Sequence, residues 1–138
     1  MNTKIYKQVH EFATSLMDAA NKEDRESFEA LYEQLKQVCI EHDETEKDHP
    51  VQWETLADFT EDLAEAVVLY QKALIKAEAI NSKDFISSIL FSMATLQSEL
   101  GDIDSAIEGL KKAQISANKI EDKDLKLEIV ALLDELEG

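Results

Sequence analysis

Turn-forming residues are almost missing from this chain. It has three glycines and one proline in 138 residues, and neither type occurs between Val51 and Leu100. An all-β fold places a turn roughly every 8–12 residues and draws on glycine, proline, asparagine and aspartate to make them, so the scarcity excludes that class. The single cysteine, Cys39, rules out an intrachain disulfide and gives no sign of an oxidising compartment. The longest apolar run, Ala66–Tyr70, is far too short to span a bilayer. The N-terminus, MNTKIYKQVHEF, lacks the apolar stretch of a secretion signal. Basic residues are also few, 14 against 30 acidic ones, for a formal charge of −16. No basic stripe is available to displace counterions from nucleic-acid phosphates, and the same charge disfavours anionic membrane surfaces. The expectation is therefore a cytoplasmic protein with no nucleic acid and no membrane among its partners. The acidic field serves solubility and permits a basic protein partner.

Helix formers fill the chain instead: Leu, Ala, Glu, Lys, Gln and Ile dominate, and the class expected is all-α. Ile5, Val9, Phe12, Leu16 and Ala20 recur at helical spacing and predict a first helix over about 3–20. Phe28, Leu31, Leu35 and Val38 predict a second, to about Glu41. Residues 41–50, EHDETEKDHP, are dense in charge and read as a solvated linker, with Pro50 suited to the first turn of a third helix. Thr60 or Asp62 can cap a fourth helix, Glu65 completing a capping-box pattern after Asp62, although one continuous helix over 51–80 is also compatible with the pattern. Asn81 and Ser82 offer the next cap, before a helix carrying Phe85, Ile89, Met93, Leu96 and Leu100. Gly101 supplies a left-handed stop, Asp102 opens a sixth helix, and a seventh runs from about Asp122.

Within this pattern a segment repeats. Residues 61–84 (EDLAEAVVLYQKALIKAEAINSKD) and 101–124 (GDIDSAIEGLKKAQISANKIEDKD) align without a gap at a spacing of forty. They match at Asp62/Asp102, Ala66/Ala106, Lys72/Lys112, Ala73/Ala113, Ile75/Ile115, Ala77/Ala117, Ile80/Ile120, Lys83/Lys123 and Asp84/Asp124. Self-similarity at such a period marks a helical repeat array, whose units bury their apolar faces only against neighbours. The register continues into the last helix, where Ile89 meets Ile129 and Leu96 meets Leu136.

Leu90-x-x-Met93-Ala94, then Gly101-Asp102, then Ala106, Leu110 and Ala113, resembles the tetratricopeptide repeat. Ala66, Tyr70 and Ala73 repeat the second-helix half, and Trp53-x-x-Leu56-Ala57 looks like another first-helix signature. The departures are a period of forty rather than about 34, Gln97 in the place of the usual tyrosine, and no proline after either second helix. The resemblance implies a single domain over 1–138: a right-handed stack of helix pairs at about 3–41, 51–80 and 82–120, with a capping helix at 122–137. It also implies a concave groove lined by the first helix of each pair, with candidate partner-binding residues Ser88, Phe91, Thr95, Ser98, Glu128, Ala131 and Glu135. The Lys/Asn set with which some members clamp a peptide carboxylate is missing, and Glu128 and Glu135 favour a neutral or basic ligand.

No catalytic constellation emerges. Glu46-Lys47-Asp48-His49 matches the Glu-x-x-His pattern of di-iron bundles, but no second copy exists. Asp43, Glu44, Glu46 and Asp48 lack the glycine and terminal glutamate of an EF-hand loop. Gly101 and Gly109 stand isolated, so there is no phosphate loop. Cys39 and His42 share a helix, yet Cys39 sits on its apolar face and reads as a small core residue. The expectation is a non-enzymatic adaptor or scaffold that uses no cofactor and no metal and binds a protein or peptide. Two other binding roles fit the composition: an acidic immunity protein or antitoxin neutralising a basic toxin, and a small secretion chaperone. A homodimer burying a leftover apolar face is compatible with a short array.

Overall fold

The computed structural model describes residues 3–138, and among them the chain forms seven α-helices and no strand. These are α1 (Thr3–Asn21), α2 (Arg25–His42), α3 (Pro50–Asp58), α4 (Leu63–Ala79), α5 (Lys83–Glu99), α6 (Ile103–Ala117) and α7 (Lys123–Glu137). The question left open over 51–80 resolves into two helices. Phe59 and Thr60 close α3 with backbone bonds to Leu56 and Ala57, and the Asp62 side chain then accepts the Glu65 N–H to open α4.

Side-chain caps set the helix starts. Asp24, Asp62, Ser82, Asp102 and Asp122 each accept the backbone N–H three residues on, satisfying donors that the helix leaves orphaned. Three of the turns share one construction. At α1/α2, α4/α5 and α5/α6, paired 6→1 and 5→2 backbone bonds wrap a left-handed residue, and the cap of the next helix follows at once. The left-handed positions are Glu23 (φ 57°), Asn81 (φ 52°) and Gly101 (φ 85°). Only the last carries the residue that adopts this conformation without strain.

Each helix packs on the next in sequence, and in addition α1 touches α3, α3 touches α5, and α5 touches α7. No such contact joins α2 to α4 or α4 to α6. The odd-numbered helices therefore form a close inner layer, and the even-numbered helices stand apart outside it with furrows between them. Small residues make the close approach possible: Ala57, Ala66, Ala73, Ala94, Ala106 and Ala113 are all buried, with Leu16, Leu35, Leu56, Ile89, Leu110 and Ile129 filling between them.

The segment between α2 and α3 is solvated only in its middle: Glu44–Lys47 are exposed, as its composition suggests, while Asp43, Asp48 and His49 are held against the fold. Lys72 reaches Asp43 at 2.7 Å, and Lys76 reaches Asp43 at 2.7 Å and Asp48 at 2.6 Å. Asp48, its side chain 7% exposed, also accepts the Trp53 indole N–H at 2.9 Å. His49 is buried, caps α3 by accepting the Val51 N–H on Nδ1, and meets Tyr6 and Phe85 edge-on at 5.1 and 5.2 Å. Lys72 and Lys76, far downstream in sequence, neutralise Asp43 and Asp48, and Glu44 and Glu46 stay exposed.

Candidate functional site

The inner layer presents a groove of about 430 Å³ between α3, α5 and α7. Its walls carry Glu54, Asp84, Asp122, Asp124 and Glu128, and among the described residues no lysine or arginine lines it. Phe85, Ile120 and Leu125 supply its apolar part. Local rules put most of these carboxylates there. Asp122 caps α7, and Asp84 and Asp124 occupy first turns, where the helix dipole favours negative charge. The forty-residue echo repeats that placement at Asp84/Asp124.

Glu54 is set apart by its burial. It lies one turn before Asp58 on α3 and accepts a hydrogen bond from Ser88 Oγ of α5 at 2.8 Å. Burial pushes its pKa up to about 7; the Asp58 charge adds to the rise and the Ser88 hydrogen bond opposes it. Asp58 is exposed as a residue, yet desolvation of its carboxyl raises its pKa, and the hydrogen bond from the Tyr70 hydroxyl opposes the shift. Tyr6 on α1 is raised by burial and by the charge of Glu54. A half-buried carboxylate among acidic neighbours, in a groove that no described lysine or arginine lines, holds its proton, and an incoming cation would supply a countercharge.

Of the residues that the sequence nominates, the structure brings Ser88 and Glu128 together in this groove. Phe91 is half-buried against the core, and Thr95 spends its hydroxyl on the Phe91 carbonyl at 3.0 Å. Ser98 lies half-buried near the end of α5, while Ala131 and Glu135 are exposed on α7 outside the groove lining. Glu54, Asp84, Asp122 and Asp124 were not among the nominated residues. Their sequence signal was the repeated first-turn aspartate and the Glu54/Asp58 pair one turn apart.

Elsewhere, a hollow of about 510 Å³ lies between the α1/α2 and α3/α4 turns. Phe28 and Phe59 floor it, and Arg25 crosses it to Glu61 as a two-pronged ion pair, so its strongest polar groups are already satisfied. Cys39 is fully buried with its thiol pushed up to about 12 by burial, unsuited to nucleophilic work. Among the described residues no group of three or more His, Cys, Asp or Glu side chains is arranged to hold a metal ion, and no helix is long and apolar enough to cross a membrane. Comparison of the chain with family models, with curated proteins and with solved structures gives no match.

Proposed function

We propose that this chain is a non-enzymatic interaction module, a tetratricopeptide-like stack whose α3–α5–α7 face receives a basic segment of a partner protein. The observation that carries the reading is the inner groove: five carboxylates, an apolar strip of Phe85, Ile120 and Leu125, and no lysine or arginine in the lining among the described residues. Lysine and arginine have the matching anatomy, a charged head on an alkyl stem. Support for the repeat architecture comes from the inner layer of odd-numbered helices and from the burial of Ala57, Ala94, Ala66, Ala106, Ala73 and Ala113 at the small-residue positions of the signature.

The test is titration of a fluorescent lysine- and arginine-rich peptide, with a glutamate-rich counterpart as control, at low and physiological salt. Binding of the basic peptide alone is expected, weakening as salt rises. The charge reversals Asp124→Lys and Glu128→Lys together should cost at least tenfold in affinity. Equal binding by the two peptides, or indifference to the charge reversals, refutes the reading.

A further inference from the structure

The echo places Lys112 of α6 where Lys72 stands in α4, and the two lysines have different surroundings. Lys72 Nζ lies 4.4 Å above the Trp53 ring and 2.7 Å from Asp43. With Lys76 it holds Asp43 and Asp48 of the α2–α3 segment against α4, while Glu44–Lys47 stay exposed. The chain thus shows what the lysines of an even-numbered helix accept: the carboxylates of an acidic segment, whose Lys47 carbonyl takes a hydrogen bond from Gln52 of the inner helix.

The furrow between α4 and α6 is built on the same plan and stands open, with a volume of about 400 Å³. Its floor is Ile86 and Leu90 of α5, and Leu90 holds in Leu90-x-x-Met93-Ala94 the place of Trp53 in Trp53-x-x-Leu56-Ala57. The connection here is only Ile80–Ser82, against the seven residues 43–49 between α2 and α3. Leu74 and Ile115 form apolar walls, and Lys83 and Lys112 face the single acid Glu78. Ile115 is 67% exposed and its echo Ile75 is 64% exposed, so the array repeats a large apolar residue that the core does not use. Lys112 is held by Glu108 at 3.5 Å, an exposed pair within one helix that an incoming carboxylate can displace at little cost.

We propose that the α4–α6 furrow is a second docking surface, which takes an acidic extended segment of a partner protein on Lys112 as the α4 lysines take the chain's own Asp43 and Asp48. A partner carboxylate meets Lys112, and an apolar side chain lies on Leu90 and Ile115. The net charge of −16 slows the approach of such a partner, so binding here does not strengthen as salt is lowered. That behaviour is opposite to what the inner groove should show, and the two surfaces succeed or fail separately.

The probe is a blocked peptide with the sequence of residues 41–50, titrated to millimolar concentration into the isotopically labelled full chain and followed by amide NMR shifts. Its counterpart carries lysine in place of Asp43 and Asp48. The acidic peptide is expected to move the amides of Leu90, Lys112, Ile115 and Ser116, and the lysine peptide is not. Lys112→Glu and, separately, Ile115→Asp should each weaken binding at least tenfold, both being exposed positions that leave the remaining spectrum in place. The proposal is overturned if those amides stay still, if both peptides move them equally, or if only the Trp53 indole signal responds, which would mean exchange with the chain's own segment. Concentration-dependent self-association abolished by Ile115→Asp would also overturn it, assigning the furrow to a second copy.

Discussion

Replacing Glu54 by glutamine should stabilise the protein, and by an amount that depends on pH. Glu54 has a pKa of about 7 in the fold against 4.5 for the free side chain. Between those values the folded state holds a proton that the unfolded state has released, so stability falls as pH rises through the interval. The stabilisation is fully present below about 4.5, is lost progressively up to about 7, and is absent above it. The whole span is worth up to about 3 kcal/mol, at 1.36 kcal/mol per unit. Glutamine keeps an acceptor for the Ser88 hydroxyl and carries no charge, so Glu54→Gln removes the pH term while preserving the contact. Burial lowers the pKa of His49, whose contribution runs the other way and is lost as pH falls below about 6.5. That contribution is common to both proteins and cancels in their difference. Urea unfolding followed by circular dichroism at pH 5 and pH 8.5 provides the assay. The variant should gain about 2–3 kcal/mol more at the higher pH, a shift of about 1 M or more in the urea midpoint. A stability difference that does not change with pH would refute the account of Glu54 as a buried carboxylate lacking a countercharge.

Three further outcomes test the frame around the site. Asp48→Ala deprives Lys76 and the Trp53 indole of a shared acceptor and should cost about 2–4 kcal/mol, with a red-shifted tryptophan emission and a lower melting temperature. Glu23→Gly relieves a left-handed backbone at an exposed turn and should raise stability by about 1 kcal/mol, read from the midpoint of chemical unfolding. Cys39 should resist thiol reagents at pH 8 in the native protein and react once urea unfolds it; rapid labelling without denaturant would contradict its burial.

Helix placement was legible because it depends on neighbours in sequence. Asp62, Ser82 and Asp102 announce starts through residues three positions away, and the structure uses each of them. What escaped the sequence depends on partners far along the chain. Asp43 and Asp48 read as solvated until Lys72 and Lys76 are folded against them. Glu54 reads as a surface glutamate until α5 lies beside α3, bringing Ser88 across a separation of 34 residues. The echo misleads at one place: Ile80 is 51% exposed and Ile120 is 7% exposed. α6 ends at Ala117, whereas α4 runs on to Ala79, so the chain after α6 unwinds early and lets Ile120 turn inward beside the groove.

His49 has a consequence for how the molecule comes apart. An array whose units touch only their neighbours can lose its end units one at a time, because each boundary breaks independently. The His49 ring caps α3 while its edges meet Tyr6 of α1 and Phe85 of α5, so one side chain joins three inner helices across three successive pairs. Detaching the first pair therefore disturbs the start of the second and a contact of the third. A coupling of that reach converts stepwise fraying into a single loss of structure, and it makes a buried imidazole in the middle of the chain the keystone of its cooperativity.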